Sequence, residues 1–128
     1  MPSDAPPLAK TIDSDTLPER SRDGRLRIVM FGSVWSKACQ MARPRFERML
    51  SACKELPLEG FWADVDLAEG LTSEWAVIAV PTQLYFAVQE SGEWRLVHRF
   101  CGLWSVSRYY DEAKYAAERA GKMVPMGD

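Results

Sequence analysis

The run Leu26–Phe31 (LRIVMF) most narrows what this chain can fold into. A continuous β-prone stretch reads as a strand covered on both faces, so the domain must supply a packing layer on each side of it. The strand breaks at Gly32, passes Trp35 and reaches the turn Ser36-Lys37-Ala38-Cys39. Beyond it Met41, Phe46, Met49, Leu50 and Cys53 recur at helical spacing and form one apolar stripe. Ser36 is a natural N-cap, and the helix is expected to end near Glu55-Leu56, just before Pro57. Pro44, inside it, removes one backbone hydrogen bond and is expected to kink it.

The remaining elements follow in order. Gly60–Val65 reads as a strand with Asp64 and Asp66 at its exit, and Ser73–Val77 as a short helix capped by Thr72 or Ser73. Thr82–Val88 and Trp94–Phe100 form a hairpin across Glu90-Ser91-Gly92-Glu93. Ser105–Ala120 is an alanine-rich helix with Val106, Tyr109, Ala113, Ala116 and Ala120 on one side and Gly121 as its C′ residue. Residues 1–24 form a polar arm in which Leu8–Ile12 can add an edge strand, Pro18 limits any helix to about one turn, and Asp23-Gly24 signals a turn. The expected organisation is this arm, one domain over residues 25–121, and a tail over 122–128. Its class is α/β: a central mixed β-sheet flanked by helices on both faces.

A chain of 128 residues supports one domain with a core of its own. The net charge of −2, with both signs spread along the chain, excludes the basic excess that nucleic-acid binding needs. No segment approaches the ~18 apolar residues of a membrane span, and the first residues lack the apolar core of a signal peptide. A chain starting at Met1 is therefore expected to be soluble in an intracellular reducing compartment, cytoplasm or organelle interior, unless a leader has been removed. Cys39, Cys53 and Cys101 form no C-x-x-C pair, and an odd, sparse count fits reduced thiols better than a disulfide framework. With His98 alone to assist them the cysteines make a poor metal set, and Asp64 and Asp66 mark a strand exit, so neither a metal nor a cofactor is expected.

Strand Ile28-Val29-Met30-Phe31, then Trp35-Ser36-Lys37-Ala38-Cys39 with Pro44 five residues on, then Val80-Pro81-Thr82 opening a strand, then Gly92 and Gly102, occur here in a fixed order. Over roughly residues 8–121 this order resembles the thioredoxin family. The resemblance implies a thioredoxin-like fold and a cis bond before Pro81. It also aligns Ser36 with the nucleophilic cysteine of C-x-x-C, whose pKa a helix N-terminus lowers. A serine hydroxyl has no comparable chemistry. Ala38 stands where a proline is usual, Gly32 where a tryptophan is common, and Met30 and Trp62 align with the buried acid and facing lysine that move protons for the thiol chemistry. Both polar members are apolar here, as expected if the relay is no longer needed and packing has refilled the space.

Each candidate residue has a functional and a structural reading. Cys39 is the candidate redox thiol, a monothiol able to form mixed disulfides, or a small buried residue in the first helical turn. The alignment sets Cys101 beside the Pro81 loop, where it could approach Cys39; a bond would need their Cα atoms within about 7 Å. Cys53 lies on the helix stripe and reads as core. Ser36 lacks a general base, since His98 sits in an outer strand with no acid placed to orient it, so it reads as a cap. The resemblance implies that Pro81 shapes a groove where an extended peptide adds main-chain hydrogen bonds. Trp35, Ser36, Val80, Cys101, Leu103 and Trp104 are candidates to surround that groove, or else they pack nearby loops. Trp104 and Trp75, outside the strands, are candidates for a partner surface. The function expected is a redox-inactive binding or structural module, an accessory subunit peripheral on a larger protein assembly. The alternative is a monothiol oxidoreductase or redox sensor using Cys39, with or without Cys101.

Overall fold

In a computed structural model, which describes residues 9–17, 26–53, 56 and 58–123 and only the backbone of Lys122 and Met123, eight elements build one sheet and its two covers. They are β1 (Lys10–Ile12), β2 (Leu26–Gly32), α1 (Lys37–Ala52), β3 (Leu58–Asp64), α2 (Glu69–Glu74), β4 (Thr82–Val88), β5 (Trp94–Cys101) and α3 (Val106–Met123). The strand order is β1-β3-β2-β4-β5, with β1, β3 and β2 parallel and β4 and β5 antiparallel.

Every residue of β2 is buried, as a central strand packed on both faces requires. Leu26, Ile28 and Met30 face α1 and α3 together with Phe46, Leu50, Tyr85, Tyr109 and Ala113. Val29 and Phe31 face the other way, toward α2, with Phe61, Leu84, Phe86 and Trp94. Helices therefore cover both faces, two on one and one on the other. Arg27 interrupts the apolar run yet is buried; its guanidinium lies 3.6 Å from Glu59 and 4.8 Å from the centre of the Trp94 ring. A buried charge stays folded in only when paired in this way.

Several local expectations shift. Helix α1 is capped by Ser36, whose hydroxyl accepts the Cys39 N–H at 3.3 Å, but it ends at Ala52, short of the boundary read near Glu55-Leu56. Met41 lies off the buried stripe, which runs instead through Cys39, Ala42, Phe46, Met49 and Leu50. Helix α2 starts four residues ahead of the Ser73–Val77 segment and is capped by neither Thr72 nor Ser73. Its cap comes from the arm: Asp15 Oδ1 accepts the N–H groups of Gly70 at 2.7 Å and Leu71 at 3.4 Å. A Cβ at Gly70 would crowd that carboxylate, so the glycine is what lets the distant cap in. Gly121 is not a C′ residue; α3 continues through it to Met123, two residues into the segment read as a tail.

The described part of the arm docks on its own domain. Besides the Asp15 cap, the Ala9 N–H donates to both oxygens of Glu47 on α1, at 3.0 and 3.2 Å, and β1 pairs with β3. Leu8, Pro18, Asp23-Gly24, Glu55, Pro57 and residues 124–128 lie outside the described residues. Among the described residues no helix is long and apolar enough to cross a membrane, and no three His, Cys, Asp or Glu side chains are grouped as metal ligands.

Candidate functional site

The site lies where β2 ends and β4 begins, because Phe31 pairs with Thr82. This register sets the turn after Gly32 and the loop before Thr82 at the same end of the sheet. The turn is closed by the Ser36 N–H donating to the Ser33 carbonyl at 3.2 Å, while Trp35 projects outward with 85% of its surface exposed. Ser36 is committed to capping α1. His98, the one histidine of the chain, is not without an acid as the sequence reading had it: Glu112 of α3 lies 2.7 Å from its Nε2. That pair sits three rungs along β4 from Thr82, at the level of Tyr85, so it does not serve Ser36.

Cys39 is fully buried, at 0% exposure, and its sulfur faces a packed wall. Met30 and Trp62 are register partners on β2 and β3, both buried on the α1 side. Beside them Gly32 has no side chain, and a Cβ there would fall inside the envelope of the Trp62 ring and 3.2 Å from Cys39 Sγ. The indole thus reaches across from the neighbouring strand into the room that Gly32 leaves, beneath the thiol. Arg43 covers the indole at 4.6 Å from the ring centre.

The other side of the site is a second cluster. The Val80–Pro81 peptide bond is cis, Pro81 is buried and Val80 half-buried. The Pro81 carbonyl accepts the Gly102 N–H at 2.9 Å, and Thr82 Oγ1 lies 3.4 Å from Cys101 Sγ. Trp104 folds back over this loop: its Nε1–H donates to the Cys101 carbonyl at 2.8 Å, its ring stacks on Phe100, and Gly102 adopts φ +108° beneath it. The Tyr109 hydroxyl donates to the Gly102 carbonyl at 2.8 Å and accepts the Trp104 N–H at 3.1 Å, and burial raises its pKa, keeping that donor protonated. Trp104 is therefore a structural residue that keeps 41% of its surface exposed. Arg45 of α1 donates to its carbonyl, tying α1 to the loop.

The structure thus brings Val80, Pro81, Cys101, Leu103 and Trp104 together and sets Trp35 and Ser36 on the adjoining turn. Cys101 is exposed, and it forms no disulfide with Cys39; all three thiols are free. Trp75 is half-buried; it is the C-cap of α2 and packs edge-on against Phe86. Sequence reasoning missed Val34, Leu67 and Ile78, which are large, apolar and exposed, Ile78 at 97%. Ile78 stands in the apolar stretch Ala76–Val80, which carries no signal separating an exposed position from a buried one.

The β1-β3-β2-β4-β5 order, with a cis-proline opening β4 and a helix starting just past β2, decides the architecture. This is the thioredoxin fold. Solved structures agree. Fasciola hepatica thioredoxin is 24% identical with a TM-score of 0.58, covering 77% of this chain and 84% of its own. A point-mutant thioredoxin of Halobacterium salinarum is 24% identical with a TM-score of 0.61, covering 75% and 78%. Malassezia sympodialis thioredoxin is 18% identical with a TM-score of 0.67, covering 85% and 90%. No protein-family model matches the sequence, and neither does any curated protein. At these identities the likeness to thioredoxins carries the fold and not the activity.

Proposed function

We propose that this thioredoxin-like chain is a protein-binding module without dithiol–disulfide chemistry, acting as an accessory subunit of a larger assembly. The observation that carries this reading is where the exposed apolar side chains stand. Val34 and Trp35 follow β2, Leu67 follows β3, Ile78 precedes β4 and Trp104 follows β5. All five lie in loops at one end of the sheet, whereas among the described residues only Met41 and Tyr115 of the exposed large apolar side chains lie elsewhere. An apolar rim concentrated at one end marks an interaction surface, and its tryptophans are the residue type that dominates binding energy. The Pro81 loop in its midst suits an extended partner segment. The loss of chemistry rests on Ser36 acting as a cap and on Cys39 packed against an indole where a thiol catalyst needs an accessible thiolate. A monothiol oxidoreductase or sensor at Cys39 would require that sulfur to be reachable, and it is the exposed Cys101 that is reachable.

A photo-cross-linking residue placed at Trp35, Ile78 or Tyr115 of the full chain in its own host tests the docking end. The expected result is one defined adduct from the first two positions and none from Tyr115, on α3. Equal labelling from all three, or labelling from Tyr115 alone, would contradict it.

A further inference from the structure

The apolar rim at the loop end of the sheet stands between two flanks of opposite charge. The strand order β1-β3-β2-β4-β5 runs across that end, so Trp35 and Ile78 adjoin the central pair β2 and β4, Leu67 adjoins β3 and Trp104 adjoins β5. On the β1–β3 side Asp13, Asp64, Asp66 and Glu69 follow the strand ends, and among the described residues none of them pairs with a cation. On the β5 side the exposed charges are cationic. Arg99 donates to the carbonyls of Trp75 and Ala76, in the loop that carries Ile78, and the Arg108 guanidinium lies 5.0 Å from the centre of the Trp104 ring. An apolar strip with an acidic flank on one side and a basic flank on the other is complementary to itself.

We propose that the chain, when free of its assembly, pairs end to end with a second copy of itself through this rim. The inference rests on the reading of that end as a docking surface and names its occupant. Charge selects the symmetry. A two-fold axis lying in the plane of the sheet would set acidic flank on acidic flank. An axis normal to the sheet instead sets the β3 side of one copy over the β5 side of the other. Asp66 of each copy then stands opposite Arg108 of the other, Leu67 meets Trp104, and Trp35 and Ile78 close the centre. The pairing covers an apolar rim that the free chain would otherwise leave in water. A partner in the assembly covers the same rim and competes with the second copy for it.

Sedimentation velocity of the full chain over a range of concentrations tests it. The wild type should show a reversible monomer–dimer equilibrium. Asp66→Lys and Arg108→Glu should each weaken it about tenfold, since each change reverses two exposed pairs in the symmetric dimer. Mixing the two variants should restore the dimer, because every reversed charge then meets its opposite on the other copy. Trp35→Ala should weaken it at least about hundredfold, both copies losing a central tryptophan that is exposed in the free chain. A dimer untouched by Trp35→Ala would overturn the proposal, and so would charge variants that melt like the wild type yet stay apart when mixed. A wild type that remains monomeric at about 0.1 mM would overturn it as well. In that case a photo-adduct from Trp35 with a different protein would leave the docking reading standing and remove only the second copy, whereas no adduct at all would remove both.

Discussion

Met30→Asp is expected to lower the unfolding free energy by about 4 kcal/mol at neutral pH, combining the lost burial of the methionine with the burial of a polar group that has no prepared partner. Met30 is fully buried, and its register partner is an indole where a thioredoxin-type relay would set a lysine. An aspartic acid there has its pKa raised above the ordinary value of about 3.9, because burial disfavours the charged form. The native state then holds more protons than the unfolded one. Stability therefore falls as pH rises from the unfolded pKa to the folded pKa, by up to about 1.4 kcal/mol per pH unit, and levels off above the latter. Urea unfolding from about pH 4 to about pH 8 should show this extra slope in the variant and not in the wild type. Met30→Leu, which keeps volume and polarity, should cost less than about 1.5 kcal/mol and show no slope of its own. A Met30→Asp chain as stable as the wild type at neutral pH would mean that the position still accommodates an acid.

The second large effect belongs to Trp62. Trp62→Ala should cost about 3–5 kcal/mol, the range for removing a buried aromatic side chain. Gly32→Ala should cost about 1–3 kcal/mol, because the added methyl enters the space of a rigid, buried ring. The two are expected not to add. With the indole gone the methyl introduced at position 32 has room, so the double variant should be at least about 1 kcal/mol more stable than the sum of the single losses predicts. Additive losses would mean that the glycine answers to something other than the indole.

Much of this architecture is legible in the residues. LRIVMF announces a strand covered on both sides, Ser36 announces a cap, and Val80-Pro81-Thr82 marks the start of β4, because each signal is local. What the sequence does not disclose depends on residues far apart in the chain. Nothing around Glu69–Glu74 indicates a helix start, since its cap, Asp15, lies in another part of the chain. Ser73–Val77 reads as helical because Thr72 and Ser73 are common caps, but the Thr72 hydroxyl instead bonds back to the Ala68 carbonyl at 2.8 Å. The Glu112 partner of His98 comes from α3 across the β5 face, and an outer-strand histidine gives no hint of it. At the site, the exchange of polar for apolar at Met30 and Trp62 is visible in the sequence. That Trp62 also occupies the space over Gly32 is not, because it follows from the β2–β3 register.

The most direct test of the central claim, that the site keeps its architecture without its thiol chemistry, is a count of reactive thiols with a bulky, charged disulfide reagent. Of the three cysteines, Cys101 is exposed while Cys39 and Cys53 are buried, and burial raises the pKa of Cys53. One thiol should react in the native chain and three in denaturant, and Cys101→Ser should bring the native count to zero. Prompt modification of Cys39 in the native Cys101→Ser chain would contradict the account and return the site to redox chemistry.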